Sequence, residues 1–131
     1  TDEIAATIDL VPTLAALARM PLPDDRVIDG HDIFPLMTDD KVKTPHSAYF
    51  YYKGKRLSAV RAGNWKWRLT PANQKKNTPQ LVELFDLGND ISESHNLAES
   101  NPEKVAELQK IGEAFQAELS GRSRPIGTYE R

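Results

Sequence analysis

The sequence has no cysteine, which excludes a disulfide framework and any thiolate metal site and leaves the redox compartment undetermined. It also has no long hydrophobic run, so we expect no membrane span and no membrane partner. Neither sign of charge is in large excess: the net charge is -2 over 131 residues, which argues against a nucleic-acid partner. An initiator methionine and a signal segment are missing too, and we therefore expect a piece of a longer protein.

What is present is the composition of an ordinary globular domain, with 39% hydrophobic and 27% charged residues. Residues 7–20 have the pattern of an amphipathic helix that Thr7 or Asp9 can cap and that Pro21 ends. Its apolar stripe is formed by Leu10, Leu14, Leu17 and Ala18. Residues 22–45 are predicted to be an irregular linker with a turn at Asp29 and Gly30. A small hydrophobic cluster is expected to anchor this linker: Ile33, Phe34, Leu36 and Met37.

Four segments are predicted to be β-strands: Ala48 to Tyr52, Leu57 to Arg61, Trp65 to Leu69 and Leu81 to Leu87. In the third segment Trp65 and Trp67 alternate with Lys66 and Arg68, so we expect one apolar face in the core and one cationic face in solvent. Gly63 suits the positive φ of a hairpin turn. These signals predict an antiparallel sheet.

The last predicted element is a long helix from Asn101 to Ser120, with Asn101 as its N-cap and Gly121 after its end. Gly112 should weaken its middle slightly. Its apolar stripe contains Val105, Leu108, Ile111, Phe115 and Leu119. The predicted fold class is α+β: a four-stranded antiparallel sheet packed against one long C-terminal helix, with an additional N-terminal helix and an irregular linker.

Several short motifs along the chain carry a resemblance to a known family. Glu83 to Leu87, a turn, and then Glu93 with Asn96 to Ala98 form the most informative of them. The earlier ones are Asp9 to Leu14, Asp29-Gly30, and Ala59 to Arg61 with Gly63 to Lys66. The chain therefore resembles the C-terminal region of the sulfatase family, arylsulfatase-like hydrolases of sulfate esters. The family often has glycine where Arg19 or Met20 closes the first helix and proline where Ile91 stands.

The resemblance implies three parts: residues 1–21 as the last helix of a catalytic domain, residues 22–45 as a linker, and residues 46–131 as the C-terminal subdomain. It implies that the catalytic N-terminal domain of the same polypeptide is the main partner. A sulfated small molecule or glycan is then the substrate of the parent enzyme. A periplasmic, secreted or lysosomal location is implied as well. Because the helix at 7–20 would lose its partner in this chain, a dimer through that helix is a further expectation.

The resemblance also implies calcium and a formylglycine, made from the Cys or Ser of a C/S-x-P-x-R motif, in the parent enzyme. A hydrated aldehyde is a nucleophile, and a divalent cation offsets charge on the sulfuryl oxygens. The match from Ser123 to Gly127 is incomplete, because it has glycine where the arginine belongs. We therefore expect no catalytic residue, no cofactor and no metal ligand in this chain, and no activity from it alone.

Residues expected at the rim of the parent's pocket share basic or imidazole chemistry that attracts an anionic substrate: His46, Lys53, Lys55, Arg56, Lys75 and Lys76. His31 and His95 are interpreted as loop histidines. A metal site at Asp29, His31 and Asp32 is an alternative to a turn with solvated acids, and the turn is preferred.

Two other functions are compatible with the sequence. The aromatic and basic residues around Lys66 and Arg68 are compatible with an independent module that binds sulfated or other anionic polymers. A structural or oligomer-forming domain is the third hypothesis.

Overall fold

A computed structural model describes residues 1–73 and 77–122. The chain divides into two compact units, Thr1–Tyr49 and Phe50–Arg131. Among the described residues, none of the helices combines the length and the apolar character that crossing a membrane requires.

The first unit begins with a 3₁₀ turn at Thr7–Asp9 that continues into helix α1, Leu10–Leu17. The helix ends earlier than predicted because Arg19 adopts a left-handed conformation, with φ of 54°. The Met20 amide donates to the Ala15 carbonyl at 2.8 Å and the Arg19 amide to the Ala16 carbonyl at 3.0 Å. These two bonds form the Schellman motif, which satisfies the last carbonyls of the helix.

The leucine stripe of α1 is exposed rather than buried: Leu10, Leu14 and Leu17 are 52%, 63% and 54% exposed. Pro12 and Thr13, on another side of the helix, are its buried residues. The helix therefore packs within its unit through a partly polar face.

The predicted linker contains a short helix, α2, at Phe34–Thr38. Only half of the predicted hydrophobic cluster is buried: Ile33 and Leu36 lie in the core, whereas Phe34 and Met37 are exposed. The alternation within a short helix explains the difference, because neighbouring residues of a helix point in different directions. Helix α2 is an addition to the mostly irregular linker that the sequence predicted.

The second unit contains the predicted four-stranded antiparallel sheet, and its strand order is β1-β2-β3-β4. The strands are β1 Tyr49–Lys53, β2 Arg56–Ala62, β3 Trp65–Thr70 and β4 Leu81–Asp86. The register places Val60 opposite Trp67 and Trp67 opposite Leu84. These three side chains share one face of the sheet and are buried.

Helix α3, Pro102–Arg122, covers that face and confirms the predicted α+β fold. Leu108 is fully buried in the interface, and the Phe115 ring stacks on Phe50 with 3.8 Å between ring centroids. Gly112 is buried against the sheet. A Cβ atom at Gly112 would lie 2.7 Å from a Leu57 methyl and 3.0 Å from a Val60 methyl. The glycine expected to weaken the helix is therefore what allows its close approach.

Candidate functional site

The first unit contains a carboxylate that is fully buried, that of Asp9. It lies at the junction of the 3₁₀ turn and α1, and it makes no side-chain cap to α1. Instead its Oδ2 accepts the Ala6 amide at 2.8 Å and its Oδ1 accepts the His31 amide at 2.9 Å. The sequence offered Thr7 or Asp9 as the cap: Asp9 makes no side-chain cap to α1, but its carboxylate accepts the amide of Ala6, the N-cap residue of the 3₁₀ turn that leads into α1.

The third donor to this carboxylate is a histidine ring. The Nε2 of His46 lies 2.8 Å and 2.9 Å from the two oxygens of Asp9, and the His46 side chain is only 7% exposed. The His31 ring meets the His46 ring edge to face, with 4.8 Å between centroids. Two histidines interpreted from the sequence as separate thus come together at one buried acid.

Thr13 extends the same cluster one helical turn further. Its hydroxyl donates to the Asp9 carbonyl at 2.6 Å and accepts the Ile33 amide at 3.0 Å. The threonine therefore fixes α1 to the segment that precedes α2. The available sequence signal was the i, i+4 spacing of Asp9 and Thr13, which places two polar residues on one side of a helix.

Gly30 makes this arrangement sterically possible. A Cβ atom at Gly30 would lie 2.1 Å from the Ile8 carbonyl oxygen, which is far inside van der Waals contact. The absence of a side chain lets the backbone before His31 run against the backbone before Asp9. The sequence predicted a turn at Gly30. The structure shows that glycine is required there because its backbone approaches the backbone of Ile8 closely.

Burial of the Asp9 carboxyl by itself raises its pKa, but the hydrogen bonds from the His31 amide, the His46 ring and the Ala6 amide outweigh it. The pKa of Asp9 therefore lies below its ordinary value of 3.8. The carboxylate is ionised and held by several donors. Such an arrangement fixes backbone segments, and it presents no free nucleophile or open metal position.

The sequence predicted that Lys66 and Arg68 form a cationic face in solvent. In the second unit both are instead paired with acids. Arg68 makes a two-pronged ion pair with Glu83, at 2.6 Å and 2.8 Å, and a third contact with Glu93 at 3.1 Å. The Lys66 ammonium donates to the other Glu93 oxygen and lies 4.9 Å from the centroid of the Tyr51 ring. The hydrogen bond and the charge of Arg68 lower the pKa of Glu83. Both cations are thus neutralised by acids from β4 and from the loop after it.

Glu93 is the acid that links this cluster to the loop. Its backbone has a positive φ of 55°, which a residue with a side chain seldom adopts. Its two carboxylate oxygens contact Lys66 and Arg68 separately. We conclude that the cluster holds the exit loop of β4 to the sheet.

Three of the predicted rim residues lie together on the hairpin between β1 and β2. Lys53, Lys55 and Arg56 are exposed, and Gly54 supplies the positive φ of the turn, 63°. Lys75 and Lys76 lie outside the described residues. The incomplete C/S-x-P-x-R motif from Ser123 to Gly127 lies outside them as well. His46 belongs to the Asp9 cluster instead, and a contact between His46 and a substrate stays a prediction.

The alternative metal site at Asp29, His31 and Asp32 finds no support. Within residues 1–73 and 77–122, no group of three or more acids and histidines is arranged to hold a metal ion. Asp32 accepts the Phe34 amide at 2.9 Å at the start of α2. His31 faces His46 as described above.

Comparison with known proteins identifies the family of this chain. The family model for the C-terminal region of aryl-sulfatase matches residues 44–126. This chain belongs to the sulfatase family. The chain is 43% identical to mouse steryl-sulfatase over an alignment that covers 94% of the chain and 24% of that relative. It is 32% identical to human arylsulfatase A, covering 85% of the chain and 26% of the relative.

Solved structures show the same relationship for this chain. One, from work on glycosaminoglycan metabolism in Bacteroides thetaiotaomicron, is 28% identical with a TM-score of 0.63, covering 83% of the chain and 24% of that structure. A sulfatase from Pseudoalteromonas sp. has a TM-score of 0.68 at 17% identity, covering 90% and 26%, and shows the shared fold alone. This chain thus spans about a quarter of the length of these relatives.

Proposed function

We propose that this chain is the C-terminal subdomain of a parent enzyme that hydrolyses sulfate esters, and that it completes the fold and the pocket rim of that enzyme. The observation that carries the proposal is the match of residues 44–126 to the C-terminal region of aryl-sulfatase. The chain alone is inactive in this proposal. Its partner is the catalytic N-terminal domain of the same polypeptide, and the parent's substrate is a sulfated small molecule or glycan.

Calcium and formylglycine belong to the parent in this proposal, and the residues of this chain do not fit either group. The sequence has no cysteine and no serine in a complete S-x-P-x-R motif, and no cluster of metal ligands occurs among the residues described. The buried carboxylate of Asp9 is occupied by the Ala6 and His31 amides and by the His46 ring.

The exposed leucines of α1 support a covering partner. Leu10, Leu14 and Leu17 form an apolar surface on a helix whose buried side is Pro12 and Thr13. Large exposed apolar surfaces mark interaction sites. We assign this surface to the catalytic domain. A dimer of the chain through the same leucines is the alternative, and analytical ultracentrifugation of the chain and of its Leu14→Glu variant distinguishes the two.

The hairpin cations are proposed to guide an anionic substrate toward the pocket. Lys53, Lys55 and Arg56 lie close in sequence and are exposed, so their charges add at short range. Lys75 and Lys76 are included in the rim on the basis of their sequence position. The independent polymer-binding hypothesis loses its main cations, because Lys66 and Arg68 are already paired with acids.

Turnover of an aryl sulfate tests the main proposal. We expect the 131-residue chain to give no turnover, and the parent polypeptide to give turnover that is lost when the region of this chain is deleted. Turnover by the isolated chain, or a parent that keeps full activity without this region, would contradict the proposal.

The rim needs a separate experiment in the parent. Replacing Lys53, Lys55 and Arg56 by alanine should raise KM severalfold for a sulfated substrate, and more at low salt than at high salt. The matched control replaces Lys41, Lys104 and Lys110 by alanine, which removes the same charge elsewhere. An equal change in KM for the two triple variants would show that the hairpin has no special role.

A further inference from the structure

Residues 21–29 form a segment outside regular structure, between α1 and α2. Every residue from 21 to 27 is exposed, and the segment belongs to no helix or strand, since α1 ends at Leu17 and α2 begins at Phe34. Pro21 and Pro23 have no amide hydrogen, which disfavours both kinds of element. Exposed segments of this kind are the places where proteases preferentially cut a folded chain.

The two arginines nearest to this segment differ in how their backbone is held. The amides of Arg19 and Met20 both donate to carbonyls of α1, so the bond between these residues is fixed in the Schellman motif. Neither Arg26 nor Val27 makes a backbone–backbone hydrogen bond to any residue that the structure describes. A protease must draw the chain around the cut bond into its own cleft. Of these two bonds, the one between Arg26 and Val27 can enter a cleft without breaking backbone hydrogen bonds.

The Arg26 side chain is accessible as well. It donates two hydrogen bonds of 2.8 Å to the Asp25 carboxylate, and the two side chains are 57% and 61% exposed. An exposed ion pair of this kind contributes little, because water competes for both groups. The guanidinium can therefore leave Asp25 for the acidic specificity pocket of a trypsin-like protease.

The chain before this segment is bound directly to the chain after it. The Asp9 carboxylate accepts the His31 amide at 2.9 Å and lies 2.8 Å from the His46 ring. The Thr13 hydroxyl accepts the Ile33 amide at 3.0 Å. These contacts join α1 to the residues that follow the segment, and they do not pass through it.

The first residues of the chain are bound to the same later part. The Thr44 hydroxyl donates to the Ile4 carbonyl at 2.6 Å, and the Thr44 amide donates to the Glu3 carboxylate at 3.0 Å. Ile4 is buried. A cut within the segment therefore removes none of the contacts that hold its two sides together.

We propose that the bond between Arg26 and Val27 is a processing site for a trypsin-like serine protease, and that the cut chain stays together as a complex of residues 1–26 and 27–131. Hydrolysis breaks the bond between the Arg26 carbonyl carbon and the Val27 nitrogen. One water molecule supplies the hydroxyl of the new carboxyl group and the hydrogen of the new amine. The inference does not rest on the function proposed above, because resistance to the protease leaves the sulfatase assignment intact.

Limited proteolysis of the 131-residue chain, with each cut bond identified by mass spectrometry, tests the site. We expect trypsin to cut between Arg26 and Val27 at least about tenfold faster than between Lys110 and Ile111. Lys110 is also exposed but lies within α3, where cutting requires local unfolding. Thermolysin, which cuts before aliphatic residues and needs no arginine, should cut before Val27 or Ile28.

Two variants and one separation complete the test. Arg26→Gln should lose the trypsin cut and keep the thermolysin cut. The matched control Arg19→Gln should be cut by trypsin at Arg26 like the unchanged chain. On size-exclusion chromatography at about 20 μM, residues 1–26 should co-elute with the rest of the cut chain, because that concentration exceeds the Kd of a micromolar complex.

Three results would overturn the proposal. The first is a bond between Arg26 and Val27 that survives trypsin as long as the bond between Lys110 and Ile111. The second is cutting of this segment by thermolysin alone, which would show that a trypsin-like protease does not recognise it. The third is separation of residues 1–26 from the rest of the cut chain on the column.

Discussion

The Nε2 atom of His46 lies within 2.9 Å of both carboxylate oxygens of Asp9, although 37 positions separate the two residues in the sequence. The same carboxylate accepts the amides of Ala6 and His31. One buried acid therefore holds together the start of α1, the segment before α2 and the segment before β1. Most leucines of the first unit are exposed, so they contribute little buried apolar surface to it.

Replacing His46 by alanine should loosen this junction. Loss of a hydrogen bond to a buried charged group costs about 2 kcal/mol. This corresponds to a roughly 30-fold larger equilibrium constant for local opening, and to roughly 30-fold faster amide exchange. Native-state hydrogen exchange at the Ala6 and His31 amides measures that opening directly. His95→Ala is the control, because the His95 ring is 81% exposed. Equal exchange in both variants would show that the His46 contact contributes nothing.

Acid should weaken the first unit through Asp9. The pKa of Asp9 is lower in the folded chain than its ordinary value of 3.8, so the unfolded chain binds the proton more readily. The stabilisation is therefore complete above about pH 4 and is lost as the pH falls through the folded pKa. Denaturant unfolding from about pH 3 to pH 6 should show Asp9→Asn less stable than the unchanged chain at pH 6, with the difference shrinking toward pH 3. A difference that grows as pH falls would reverse the sign argued here.

Two glycines of α3 should respond in opposite ways to alanine. Gly112→Ala places a methyl group against Leu57 and Val60, and this overpacking, about 1 to 3 kcal/mol, exceeds the gain of roughly 1 kcal/mol in helix propensity. Gly121→Ala, where a Cβ atom meets nothing within 4 Å, should be neutral or slightly stabilising. Tryptophan fluorescence during denaturant unfolding reports on this unit. A stabilised Gly112→Ala variant would contradict this prediction, because it would mean that Leu57 and Val60 shift to accommodate the added methyl group at little cost.

Arg19→Gly should stabilise the chain by about 1 kcal/mol. Arg19 has a φ of 54° at the position of a Schellman motif where glycine is preferred, and residues with a Cβ atom pay roughly 1 kcal/mol or more there. Arg19→Ala keeps that strain and serves as the control, with no gain expected. Thermal unfolding followed by circular dichroism compares the two variants. An equal effect of glycine and alanine would assign the change to loss of the arginine side chain.

Local patterns were sufficient for the second unit. The alternation from Trp65 to Leu69 predicted β3, and the apolar spacing after Asn101 predicted α3, because both patterns repeat within one element. The prediction for Trp67 is confirmed, with that ring buried under α3. Local signals failed at the end of α1, where the strained residue Arg19 stops the helix at Leu17.

The candidate sites were harder to predict. Asp9 looked like a helix cap, and Lys66 and Arg68 looked like a solvated face, because a sequence shows each residue beside its neighbours only. Apart from the Ala6 amide, which lies close to Asp9 in the chain, their partners lie 15 to 37 positions away. The hairpin cations Lys53, Lys55 and Arg56 are exposed, and their role at a pocket rim stays a prediction.

By itself, the sequence determined the order and type of the strands and of the long helix, and the family to which the chain belongs. Hydrophobic periodicity and turn residues act over a few positions and need no distant partner. Only the tertiary structure decided which acids are occupied, why Gly30 and Gly112 have no side chain, and which contacts hold together the chain on either side of residues 21–29. Those properties depend on distances between segments far apart in the chain, which become defined when the chain folds.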